Sequence, residues 1–200
     1  MRVGVPRALL FWSYAPLWLS VLRRLGAEPV VSGATTRATL DAGVKLAVEE
    51  VCLPVKVFYG HCAALAAAGV EALFVPRLVA VEPRAYICPK FMGLPDMVRH
   101  ALGGRSRVLS PVVDLRRRAS GYVEAVAALA AELGVSRRLA GLALAAGTTA
   151  QEQAEMAWER GHLPPAVLGD LESAGEVHLE EEQPPGRAPA GRRVAVLGHP

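Results

Sequence analysis

The sequence predicts an α/β fold: a Rossmann-like parallel sheet flanked by helices, an Ala-rich helical region, and the start of a second α/β domain. Three observations predict it. Short apolar runs at 2–5, 28–31 and 72–75 alternate with longer stretches of helical spacing. The first long stretch joins two such runs into a β-α-β unit, which requires parallel strands. Hydrophobic residues make up 52% of the 200, enough for a substantial core.

In chain order, Arg2 to Val5 reads as a buried strand ended by Pro6. Residues 9–25 are apolar and aromatic at helical spacing and are closed by Gly26, with a turn or fresh helix start expected near Pro16. Residues 28–31 are a second strand. Residues 36–48 fit a helix with Thr35 or Thr36 as N-cap. Pro54 is expected to block continuation past Cys52, so the next helix is placed at 56–68, before Gly69. A strand at 72–75 ends at Pro76 and opens an irregular segment over 77–95. A short helix at 96–101 and strand-like residues at 108–113, limited by Pro111, complete the first unit. Two Ala-rich helices are expected at 116–133 and, capped by Ser136, through to about 160.

These elements divide the chain into an α/β domain (1–115), a helical region (116–162), a Pro- and Gly-rich linker (163–192) and a strand (193–200) that opens a second α/β domain or, alternatively, adds to the main sheet.

Charge and targeting signals exclude several classes. The formal net charge is +3, and the basic residues are scattered rather than striped, which argues against nucleic acid. No run reaches the ~18 apolar residues of a membrane span, and the N-terminus does not read as a signal peptide. A soluble, cytoplasmic protein is therefore expected.

Three cysteines in a reducing compartment argue against a disulfide framework. Cys52 lies in Glu49-Glu50-Val51-Cys52-Leu53-Pro54-Val55-Lys56. Cys88 lies in Tyr86-Ile87-Cys88-Pro89-Lys90-Phe91-Met92-Gly93-Leu94-Pro95-Asp96. Each follows an apolar stretch and has a proline within two residues, a context familiar from iron–sulfur ligand loops though not specific by itself. Against nineteen arginines the chain has three lysines, and two of them, Lys56 and Lys90, follow these cysteines. A compact ammonium there suits an anionic centre, with Arg77 and Arg84 as further candidates; the plain alternative is that these cations are solvated or pair with Glu49, Glu50, Glu82 or Asp96. Cys62 sits in an Ala-rich helix and reads first as a small buried hydrophobe, with a ligand role as the alternative. Zinc, with His61 as a nitrogen ligand, lacks closely spaced cysteine pairs. A reactive cysteine with His61 as base lacks an evident third group. Buried thiols without function remain open on composition alone.

At these residues the sequence resembles the acyl-CoA dehydratase activase-related proteins, relatives of the 2-hydroxyacyl-CoA (2-hydroxyglutaryl-CoA) dehydratase subunits. The resemblance rests on Gly4-Val5-Pro6-Arg7-Ala8-Leu9-Leu10, Glu50-Val51-Cys52-Leu53-Pro54-Val55-Lys56 with Gly60-His61, Phe74-Val75-Pro76-Arg77-Leu78-Val79, and most strongly the Tyr86-to-Asp96 block. Gly198-His199-Pro200 matches the start of the family's next domain. The resemblance implies a [4Fe-4S] cluster with Cys52 and Cys88 as two metal ligands, Lys56 and Lys90 as its basic flank, and a third ligand beyond Pro200. It also implies an ATP-hydrolysing activator protein as partner, acyl-CoA as substrate, and low-potential electron transfer that promotes dehydration. The catalytic residues are not identified, and self-association is left open. Two further readings stand beside this one: a non-catalytic cluster carrier or partner-binding accessory protein, and a plain α/β domain holding a small ligand where the sheet order reverses.

Overall fold

The computed structural model describes residues 1–116 and 121–163. The expected linker and second-domain strand, apart from Leu163, lie outside the described residues. In chain order the elements are β1 (Arg2–Val5), α1 (Phe11–Arg24), β2 (Glu28–Val31), α2 (Arg37–Leu46), α3 (Leu53–Ala67), β3 (Ala72–Phe74), β4 (Arg77–Ala80), α4 (Pro89–Ala101), β5 (Arg107–Leu109), β6 (Val112–Asp114), α5 (Gly121–Glu132) and α6 (Arg137–Glu159). The α/β fold read from the sequence is the one observed.

Strands β2-β1-β3-β5 form one parallel sheet, and β4-β6 form a second parallel pair. The pair extends the β3-β5 ladder. Val75 N–H donates to the Leu109 carbonyl and Arg77 N–H to that of Pro111, both at 2.9 Å. Pro76 and Pro111 interrupt the strands at adjacent positions because neither can donate to the ladder. The strand expected to stop at Pro76 therefore resumes as β4.

Side-chain alternation divides the core between two faces. Val3, Val5 and Phe74 pack with Trp18, Leu19 and Leu22 of α1 and with Leu129 and Ala143 of α5 and α6. Leu73, Val75 and Val108 pack with Val55, Phe58 and Leu65 of α3 and with Leu94 and Val98 of α4. The prolines expected to break helices are absorbed instead. Pro54 and Pro89 occupy first-turn positions, where an N–H has no helical partner. Helix α3 therefore begins three residues earlier than expected and α4 seven residues earlier.

Pro16 lies inside an unbroken α1. Gln151 of α6, 8% exposed, bridges the backbone beside it. It accepts from Leu17 N–H (3.4 Å) and donates to the Ser13 carbonyl (2.8 Å), two groups that a regular helix pairs with each other. Gly26, at φ +80°, closes the helix in the left-handed conformation that glycine adopts without strain. Thr36 and Thr39 cap α2 reciprocally, and the Ser136 hydroxyl caps α6.

Candidate functional site

Cys52 and Cys88 occupy equivalent places on successive helices, α3 and α4. Each is the N-cap of a helix, with an extended backbone at Cys52 (φ −63°, ψ 151°) and φ −49°, ψ 131° at Cys88. The Cys52 carbonyl accepts from Val55 and Lys56 N–H (3.1 and 3.2 Å), and that of Cys88 accepts from Phe91 N–H (2.9 Å). Neither sulfur makes a capping hydrogen bond, and both residues are exposed. Helices α3 and α4 each run back to the start of a parallel strand. Their N-termini therefore lie at the edge where the strands end, the edge at which such sheets hold ligands. Both helices pack into the same apolar cluster, which includes Val51 beside Cys52 and touches Phe91 near Cys88. First-turn N–H groups and the helix dipole favour negative charge at this edge.

The flanking cations divide. Lys56 Nζ donates to the Glu49 carbonyl (3.0 Å), tying the approach to α3 onto its first turn. Lys90 stands half-buried in the first turn of α4. Arg77 follows the plain alternative: it pairs with Asp96 at 2.8 Å and also donates to the Met92 carbonyl. Arg99 continues the network to Asp96 (2.9 Å), the Val108 carbonyl (3.1 Å) and Ser110 Oγ (2.8 Å). These bonds, the one from Arg77 foremost, hold the Asp96 carboxyl below its ordinary pKa. Their structural effect is to pin α4 across β4 and β5.

Cys62 is fully buried, and desolvation pushes its thiol pKa far up. It behaves as the buried hydrophobe its Ala-rich context suggests. His61 is 1% exposed, with Nδ1 2.9 Å from Ser32 Oγ and Nε2 2.9 Å from Thr35 Oγ1. Both ring nitrogens are thus engaged by hydroxyls, which leaves no lone pair free for a metal. Sequence reasoning did not connect Ser32 and Thr35 with His61, although both lie in the loop after the second predicted strand.

Among the described residues, no three His, Cys, Asp or Glu side chains converge as a metal-binding group. The donor chemistry nonetheless suits an iron–sulfur centre in part. Two accessible sulfurs stand at helix N-termini on one edge of one sheet, and further ligation has to come from elsewhere.

An apolar pocket opens at this edge between β1 and β3. The β1–α1 loop, Phe58 of α3 and Phe91 of α4 contribute to its wall. Among the described residues no helix is long and apolar enough to cross a membrane.

No curated protein and no solved structure matches the chain. A family model described as the CoA enzyme activase uncharacterised domain matches residues 2–200. That span includes every block of residues that carries the resemblance to dehydratase activase-related proteins, and the chain belongs to this CoA enzyme activase domain family.

Proposed function

We propose that the protein is an iron–sulfur component of the 2-hydroxyacyl-CoA dehydratase type, with Cys52 and Cys88 supplying two thiolates to a [4Fe-4S] cluster. The observation that carries this reading is the matched placement of the two cysteines. Both are exposed N-caps at the strand-end edge, and neither sulfur is spent on capping. Membership of a CoA enzyme activase family supports the acyl-CoA context. When bound, the cluster supplies low-potential electron transfer, with an ATP-hydrolysing activator as the electron source.

This chain's own residues would do three things. Cys52 and Cys88 hold the centre. The first-turn amides of α3 and α4 favour its negative charge, with Lys56 and Lys90 adding to the field. The Arg77–Asp96–Arg99 network keeps the Cys88 helix in place on the sheet.

The test is anaerobic reconstitution of the full chain with ferrous iron and sulfide, read by iron and sulfide analysis and by electron paramagnetic resonance. Cys52→Ser and Cys88→Ser should each lose most of the bound iron, and Cys62→Ser should retain it. Loss in Cys62→Ser with retention in Cys88→Ser would overturn the ligand assignment. Acyl-CoA added to the reduced protein should perturb the cluster spectrum. An unchanged spectrum with every thioester tried would favour an electron carrier over an enzyme.

A further inference from the structure

The apolar pocket sits where the sheet order reverses. From β1 the chain crosses to β2 on one side, and β3 lies on the other. Val5 and Pro6 at the end of β1 and Phe74 and Pro76 at the end of β3 form its floor. Open α/β sheets leave a crevice at this point because the connecting loops part in opposite directions.

Three features distinguish it from a packing flaw. First, among the described residues its lining carries no charged side chain, and Tyr14 and Trp18 carry its only side-chain polar atoms. A carboxylate or phosphate inserted there would lose its hydration with nothing to replace it. Second, Leu9 lines it at φ +56°, a left-handed backbone that leucine rarely adopts. Such a conformation persists only where its surroundings impose it, and these sites cluster at ligand clamps. Third, its cavity volume is about 60 Å³ and it is open at one side. An apolar cavity of about 150 Å³ accepts benzene, so this one accepts about two or three carbons.

We propose that the pocket binds the uncharged hydrocarbon end of a small molecule, two or three carbons deep, whose polar remainder stays outside the mouth. Phe58 and Phe91 lie six and three residues beyond Cys52 and Cys88. The seated end therefore touches both helices whose N-termini carry the cysteines. The pocket is built from side chains already in place, so binding does not depend on the iron–sulfur reading.

The test uses the full chain, prepared aerobically without iron, and a series of straight-chain alcohols from ethanol to 1-pentanol, with butyrate as the charged counterpart. Binding is followed by amide chemical shifts in two-dimensional NMR. Saturable shifts are expected at Leu9, Phe74 and Leu94. Affinity should rise about fourfold per added CH₂ up to three carbons and then level, while butyrate binds at least tenfold more weakly than 1-butanol. Ala15→Val, which adds two methyl groups to the wall, should weaken 1-butanol by about tenfold. If that variant does not fold, the wild-type series decides alone. Non-saturating shifts, shifts centred elsewhere, or butyrate binding as well as 1-butanol would overturn the proposal. None of these results bears on iron retention, so failure here and failure of the cluster reading are distinguishable.

Discussion

His61 shows how much of this edge is settled by single side chains. Ser32 Oγ accepts the Arg7 backbone N–H and lies within hydrogen-bond distance of His61 Nδ1, both at 2.9 Å. Thr35 Oγ1 stands 2.9 Å from Nε2, so the neutral ring donates from one nitrogen and accepts at the other. Burial first, and the Arg7 charge second, hold the imidazole pKa below its ordinary value. The sign of the pH dependence follows. Above the unfolded value of about 6.5 both states are neutral, and the hydrogen bonds contribute fully. As pH falls below it, the unfolded chain takes up the proton first and stability is lost, down to the depressed folded value. His61→Gln should cost about 1–3 kcal/mol at pH 7.5. That difference should shrink by pH 5.5 in urea denaturation. A gap that widens on acidification would contradict a neutral His61.

At the scale of elements, close helix contact is bought by glycine. A Cβ at Gly43 of α2 would overlap the Lys56 carbonyl of α3, and one at Gly60 of α3 would overlap the Thr39 carbonyl of α2. The two glycines let these backbones touch, which places the α3 N-terminus and Cys52. Gly43→Ala or Gly60→Ala should destabilise by about 3 kcal/mol or more, since backbone rather than a flexible side chain must yield. Gly141 of α6 has open space at its Cβ position, so Gly141→Ala should stabilise by about 0.5–1 kcal/mol. Chemical denaturation of the three variants compares tolerated with forbidden sites, and equal effects would refute the contact argument.

Gln151 makes a related case on the other face. Gln151→Leu removes the bridge beside Pro16 and should cost about 1–3 kcal/mol. Hydrogen exchange should quicken at the Leu17 amide rather than uniformly along α1. Uniform acceleration would mean that Gln151 serves general packing instead.

Over the whole molecule, the two core faces meet through single strands. Leu73 and Phe74 are neighbours in β3 and belong to opposite clusters. Loss of one face therefore removes support from the other, and unfolding should be cooperative. Trp12, Trp18 and Trp158 all lie on α1 and α6. Gly60→Ala lies on the opposite face, yet it should shift the tryptophan fluorescence transition as far as the far-UV circular dichroism transition. Separate midpoints would show two independent units.

The α/β class, the order of helices and of the strands other than β4 and the split of β5 from β6, and the pairing of each exposed cysteine with a proline were legible in the sequence. They follow from local causes: apolar periodicity, β-branched runs and capping residues. The starts of α3 and α4 were misplaced because a proline that bars a helix interior is welcome in its first turn. Only the carbonyls left unpaired upstream, or the N-cap geometry itself, decide which case applies. β4 was missed because Pro76 interrupts a strand whose partner carries Pro111 at the adjacent position, a match between residues 35 apart. The bridge at Pro16 spans 138 residues and has no local signature. The sequence by itself determined which residue types could do chemistry. Only the tertiary structure decided that both ring nitrogens of His61 are engaged, that Cys62 is sealed, that Cys52 and Cys88 cap helices at one edge, and that a pocket opens beside them. Periodicity and propensity act over a few residues, whereas burial and partner choice are set by segments that meet only once the sheet has formed.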